Sequence, residues 1–166
     1  RPVDRKPLAS RSLVDELESH ANEVDAARGE GLALRVAIDE GEDGARPDMV
    51  YIDLPLVEEV LDNLLSNACG HAKGVIEVEI SVREGRLALS VADDGPGFTP
   101  EALRRGCDPF FSENKSAEHF GLGLNVSSIL CGLHGGALEL GNGSTGGARV
   151  TATFSTGGDG DETGEL

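Results

Sequence analysis

The stretch Leu56-Val-Glu-Glu-Val-Leu-Asp-Asn-Leu-Leu-Ser-Asn-Ala-Cys-Gly-His71 decides how this chain is read, because it carries a wide apolar arc with a pair of asparagines on its margin. At about 100° per residue, Leu56, Val57, Val60, Leu61, Leu64, Leu65 and Ala68 fall on one side of a helix, and Asn63 and Asn67 sit one turn apart beside Leu56 and Val60. A buried amide left without a partner costs roughly 1–3 kcal/mol, so such groups meet each other, a backbone, a ligand or a metal. Two readings stand at this point: an amide ladder that ties the helix to its sheet, or a binding site.

Outward from this helix, residues 13–27 place Leu13, Leu17, Ala21 and Val24 at helical spacing, and residues 32–38 read as a strand. Residues 39–48 are acidic and contain glycine, as a loop would. After the Asn-bearing helix, expected over about residues 54–72, Ile76, Val78, Ile80 and Val82 alternate with Glu77, Glu79 and Ser81, which predicts a strand with one wet face. Arg83-Glu-Gly-Arg86 supplies a turn, and the return strand points Leu87, Leu89 and Val91 inward. Asp93 shares their parity. A carboxylate on a buried face, running into Asp94-Gly-Pro-Gly-Phe98, either caps its own turn or meets a ligand that the two glycines let approach the backbone.

Residues 99–120 lose periodicity, apart from a possible helical turn over 100–105 and the apolar knot Asp108-Pro-Phe-Phe111; a connection of that length suggests a mobile, functional loop. Gly121-Leu-Gly-Leu124 then opens a helix with Leu122, Val126, Ile129, Leu130 and Leu133 on one predicted face, terminated at His134-Gly135-Gly136. Residues 137–140 and 148–154 close the domain as two strands, and no internal repeat is evident.

Composition sets the outer limits. The 166 residues, 39% hydrophobic and 27% charged, suit one globular domain. The expected division is a linker remnant at 1–12, the domain at 13–155 and an acidic, flexible tail at 156–166. A formal charge of −16 with only 14 dispersed Lys and Arg argues against a nucleic-acid partner. No apolar run approaches about 18 residues and no leader pattern opens the chain, so we expect no membrane contact by this segment. Cys69, Cys107 and Cys131 lack metal-ligand spacing and read as buried thiols of a reducing compartment.

Singly these signals are modest; their order is specific. An amide-bearing helix, a strand ending in Asp93-Asp94-Gly95-Pro96-Gly97-Phe98, a loop with Asp108-Pro-Phe-Phe111 and a glycine-led helix at Gly121 together resemble the catalytic and ATP-binding domain of bacterial sensor histidine kinases. That domain belongs to the superfamily shared with gyrase, MutL and related chaperones, and the resemblance runs over about residues 13–154. It implies a two-layer α/β sandwich, a mixed sheet with the Asn-bearing and Gly121 helices on one face and nucleotide between them.

The resemblance also assigns roles. Asp93 would accept from the adenine amino group, with Gly95, Gly97 and Phe98 near the ring and ribose. Asn67 would hold Mg²⁺ through its amide oxygen, and the backbone N–H groups of Gly121, Leu122, Gly123 and Leu124 would meet the phosphates at a helix N-terminus. Asn63 and Asn67 are the expected catalytic pair. Hydrolases of the superfamily carry a water-activating Glu where this chain has Asn63, and an amide cannot take that proton, which implies phosphoryl transfer in place of hydrolysis. The γ-phosphoryl group would pass to a histidine on a separate dimerisation module and from there to a response regulator.

Departures from the pattern are Gly70, where Lys or Arg is usual and for which Lys73 or Lys115 would substitute; His119 in place of a glycine; and Gly147-Ala148 where Gly-Thr is common. His71 reads equally as a nucleotide contact or a core-edge residue, and Phe110 and Phe111 as a lid latch or ordinary core. His20 is expected on an exposed helix face, His134 as structural in a helix C-terminal turn that favours positive charge, and neither as the phosphoacceptor. Rival readings are a non-catalytic nucleotide-sensing module and an anti-sigma serine kinase of the same superfamily. The segment is expected to be a cytoplasmic monomer, with inner-membrane anchoring of a longer protein left open.

Overall fold

The computed structural model describes residues 2–28, 31–42, 44–109, 111 and 123–157, and in chain order these form β1 (Lys6–Ala9), α1 (Ser10–Arg28), β2 (Ala33–Asp39), β3 (Met49–Ile52), α2 (Leu54–His71), β4 (Val75–Arg83), β5 (Arg86–Asp93), α3 (Pro100–Arg105), α4 (Gly123–Leu133), β6 (Leu138–Asn142) and β7 (Ala148–Ser155). The apolar arc read from the sequence is the buried face of α2: Leu56, Val57, Val60, Leu61, Leu64, Leu65 and Ala68 are all in the core. Each buried leucine contributes about 1.5–3 kcal/mol through lost water contact, so this one face anchors the helix layer. The helix starts where Asp53 Oδ1 accepts the Leu56 N–H at 3.1 Å, and it stops at Ala72, which turns to extended backbone.

Beneath α2 lies a five-stranded mixed sheet in the order β2-β4-β5-β7-β6, with β2 and β4 parallel and the other pairs antiparallel. The expected hairpin is β4–β5, in register Val78↔Val91 and Ile80↔Leu89, turning through Gly85 at φ +77°. Ile76, Val78, Ile80, Val82, Leu87, Leu89 and Val91 face the helices, while Glu77 and Glu79 are exposed on the far side. Helices α1, α2 and α4 all pack on that apolar face, giving the two-layer sandwich.

Two strands went unread in the sequence. β1, within the stretch expected as linker, pairs antiparallel with β3 from Lys6↔Ile52 to Ala9↔Met49 as a separate two-stranded sheet. Four-residue strands are too short to show a period, so only their pairing reveals them. The Tyr51 N–H donates to the Thr156 carbonyl at 3.1 Å, which joins this small sheet to the end of β7.

Helix α4 is present, but its inward face differs from the one expected. Ser127, Leu130 and Cys131 are buried, whereas Ile129 and Leu133 are 54% and 48% exposed; Leu122 lies outside the described residues. Its apolar arc is wide and reaches both the buried and the exposed sides, so hydrophobicity alone could not choose its face. Its end is as expected: Gly135 takes φ +77°, its N–H bonds the Gly132 carbonyl and the Gly136 N–H bonds that of Cys131, the paired bonds of a glycine-terminated helix.

Three other expectations change. His20 is half-buried between α1 and α2, with Nε2 2.7 Å from Asp62 Oδ1 and Nδ1 3.6 Å from Glu58 Oε2. Of the cysteines only Cys131 is buried, its thiol pushed up to about 12 by that burial, while Cys69 and Cys107 are partly exposed. His134 is structural but neutral: it is fully buried, its Nε2 accepts the Asp53 N–H at 3.0 Å, and burial holds its pKa below the usual 6.5. The charge-favouring helix end is outweighed by loss of water.

A neutral buried imidazole stabilises the fold above the unfolded-state pKa and loses that contribution as pH falls through 6.5 and below. The urea midpoint should therefore drop between about pH 7.5 and 5.5, and less steeply in His134→Gln, whose side-chain oxygen still accepts from Asp53. Equal slopes in the two proteins would exclude His134 as the responsible group.

Candidate functional site

Two hydrogen bonds fix how the site helices lie. Asp53 at the start of α2 is bonded to His134 at the end of α4, and Asn63 Nδ2 donates to Ser127 Oγ at 3.2 Å, so the helices run antiparallel. One turn further along α2 from Asn63 is one turn back along α4 from Ser127, which sets Asn67 level with Gly123. Asn63 thus has a protein partner, but it ties α2 to another helix and not to the sheet. Asn67 is part-exposed and its amide bonds to none of the described residues. Opposite it, the first turn of α4 carries no acidic side chain, and its leading N–H groups have no partner within the helix.

The loop that follows β5 approaches the far end of α2. Asp93, 9% exposed, uses Oδ1 to accept the N–H of Gly95 at 2.8 Å and of Ala148 at 3.4 Å. The turn-capping reading therefore holds for one carboxylate oxygen; Oδ2 takes no hydrogen bond from the described residues. Gly95 lies so close to α2 that a Cβ there would run into the His71 carbonyl oxygen, and Gly97 sits at φ +83°, where a Cβ would meet the Gly146 carbonyl. Phe98 is buried and Gly147 abuts the Asp93 carbonyl. Close backbone approach, which the glycines permit, is what brings an acid, a helix end and a hairpin to one place.

Asp94, one residue on, is exposed and accepts the N–H of Lys73 at 2.8 Å and of Gly74 at 3.0 Å. The N–H of Gly74, then that of Val75, holds its carboxyl below the usual carboxylate range. This ties the chain leaving α2 to the loop leaving β5. His71 is the part-buried last residue of α2, and Leu124 packs at the edge of the core.

Of the expected site residues, Asn63, Asn67, His71, Lys73, Asp93, Gly95, Gly97, Phe98, Gly123 and Leu124 gather around the facing ends of α2, α4 and the loop after β5. Phe110, Lys115, Gly121 and Leu122 lie outside the described residues. Phe111 packs at the core margin beneath the Arg105 guanidinium, 5.1 Å from its ring centre, which is the core reading of that residue. Ser127 and Asn142 were not singled out in the sequence. Asn142 Oδ1 accepts the Phe98 N–H at 2.7 Å and its Nδ2 donates to the Phe98 carbonyl at 3.1 Å. Among the described residues no group of three His, Cys, Asp or Glu side chains forms a metal cage.

An amide helix, a glycine-bearing turn with a buried acid and the first described turn of α4, joined on one mixed sheet, define a nucleotide-binding ATPase domain. The chain belongs to the family of histidine kinase-, DNA gyrase B- and HSP90-like ATPases, whose family model matches residues 52–157. Sensor protein RstB of Escherichia coli is 29% identical over 158 residues, 93% of this chain and 35% of RstB. Sensor histidine kinase component HK1 of Mycobacterium tuberculosis is 34% identical over 115 residues, 68% of each protein. Full-length ShkA in complex with AMPPNP superimposes with a TM-score of 0.71 at 25% identity, covering 95% of this chain and 32% of ShkA. The nucleotide-free catalytic domain of histidine kinase ThkA shares the fold, with a TM-score of 0.71 at 20% identity over 92% of this chain and 96% of that domain. The chain is accordingly an ATP-binding catalytic domain of the sensor-histidine-kinase type, and it spans about a third of the length of RstB.

Because a Cβ on Gly147 would collide with the Asp93 carbonyl, Gly147→Ala should cost roughly 2 kcal/mol of stability. Chemical denaturation checks this; an unchanged midpoint would mean that the contact relaxes freely.

Proposed function

We propose that this domain transfers the γ-phosphoryl group of Mg-ATP to a histidine on a separate dimerisation module, from which a response regulator receives it. The observation that carries this reading is Asn63. Its amide, engaged with Ser127, stands where the superfamily's hydrolases carry a glutamate, and it has no lone pair basic enough to take a proton from water. A site without a general base positions a phosphoryl group for an external acceptor instead.

Roles follow from the chemistry of each group. Asp93 Oδ2 accepts from the adenine amino group, while Oδ1 keeps the carboxylate oriented through Gly95 and Ala148. The absence of a side chain at Gly95 and Gly97 leaves room for the ring against the main chain. The first turn of α4, from Gly123 and Leu124, directs N–H groups and the positive end of the helix dipole at phosphate oxygens. In a chain of net charge −16 these local donors must outweigh the general field.

Asn67 fits Mg²⁺. Its amide oxygen is a hard neutral ligand unclaimed by the described residues, and Mg²⁺ characteristically takes few protein ligands while keeping water and phosphate oxygens. When bound, the ion neutralises phosphate charge. Gly70 is exposed and brings no cation, which leaves Lys73 or Lys115 to face the phosphates and favours weak, micromolar or poorer, affinity. No helix among the described residues is long and apolar enough to cross a membrane, which fits a domain working in the cytoplasm and attached, in a longer protein, to sensing segments.

By titration calorimetry, Asp93→Asn should weaken Mg-ATP binding roughly 10–100-fold, and Asn67→Ala should abolish the difference between titrations with and without Mg²⁺. Mixing the chain with its cognate histidine-bearing module and ATP should label that histidine. ATP binding without any labelling would reject the transferase reading and favour a nucleotide-sensing module; label appearing on a serine of an anti-sigma antagonist would favour the third reading.

A further inference from the structure

The loop from Asp93 to Phe98 is pinned at three points. Two belong to the loop's own acids: Asp93 Oδ1 holds Gly95 and Ala148, and Asp94 holds Lys73 and Gly74. The third comes from Asn142, far away in sequence at the end of the edge strand β6, whose amide bonds both the N–H and the carbonyl of Phe98. These partners leave no choice of orientation for the amide, since the N–H requires the oxygen and the carbonyl requires the nitrogen.

We propose that Asn142 is a positioning residue for the adenine end of the nucleotide site: it sets the exit of the Asp93–Phe98 loop and thereby the place of Gly97 against the base that Asp93 Oδ2 recognises. This rests on the reading of Asp93 as the base-recognising acid. The side chain of Asn142 acts as one further rung of sheet. β6 pairs with β7 along its other side, Asn142 opposite Ala148, and the amide supplies to Phe98 the acceptor and donor that a neighbouring strand would have offered.

Gly97 makes the dependence tight. It occupies the left-handed region at φ +83°, and a Cβ on it would contact Asn142 Oδ1 as well as the Gly146 carbonyl, so the loop passes directly over the amide. Without Asn142, the backbone of Phe98 loses the two hydrogen bonds that favour the Gly97 conformation over the others open to a glycine. Asp93, by contrast, keeps both of its own bonds. The loss therefore falls on how well the pocket is preformed, not on the recognising group itself.

Asn142 touches the backbone of Phe98 and no proposed ligand atom, so its signature differs from that of a contact residue. In Asn142→Ala, AMPPNP binding should weaken about tenfold, and the ratio of AMPPNP to GMPPNP affinity should fall, because a loosened loop no longer rejects the guanine oxygen. Asn142→Asp, which keeps the acceptor for the Phe98 N–H, should lie between wild type and alanine. Leu138→Ala on the same strand serves as the stability control: it should lower the urea midpoint and leave both affinities unchanged.

Wild-type binding with an unaltered Asn142→Ala would overturn this inference alone. So would equal losses in Asn142→Ala and Leu138→Ala, which would make the effect one of general stability. A wild-type chain that binds neither nucleotide would overturn the site reading and this inference with it.

Discussion

The N–H of Asp53 bonded to the imidazole of a fully buried histidine, His134, holds the beginning of one site helix against the end of the other, and the rest of the site depends on that register. Midway along, Asn63 and Ser127 repeat the connection. The first bond is buried and the second partly so, and at such sites an unmatched donor or acceptor costs more than a matched one returns. Sliding α4 by one turn would strand polar groups at both points. The register is therefore specified far more sharply than leucine packing alone would achieve, and the free ends of the helices arrive together at the loop after β5.

Asp53 also serves the incoming chain. Its Oδ1 caps α2, its Oδ2 accepts the N–H of Asp4 at 2.9 Å, and β1 continues from there to pair with β3. The segment before β1 is thus bonded to the same residue that starts α2. Strand β3, the N-cap and the end of α4 form one connected rim on the side of the molecule opposite Asn67 and Gly123.

Charge is managed locally. The chain is strongly acidic, yet the two carboxylates of the loop after β5 are each engaged: Asp93 by two N–H groups on one oxygen, and Asp94 by those of Lys73 and Gly74. Among the described residues, an amide on α2 and the first turn of α4 are neutral or partly positive groups that suit an anion. Glycine matters at this place for distance as much as for conformation, since Gly95 and Gly147 allow main chain to touch main chain.

The sequence by itself determined α2 and the β4–β5 hairpin, because each buries a single face and leaves a period, 3.6 or 2, that survives in the order of residues. It also determined Asp93 and the glycines around it, since parity put the acid on the buried face and turn chemistry explained its neighbours. It left α4's orientation open, because an apolar arc wider than the buried face blurs the period, and it left β1 and β3 unseen because four residues hold too little of one. Only the tertiary structure decided that Ser127 would meet Asn63, that His20 would bridge Glu58 and Asp62, that His134 would be neutral, and that Asn142 would grip Phe98. Each of these is a single polar group whose partner is remote along the chain, and a hydrogen bond between remote residues leaves no periodic trace in the sequence that makes it.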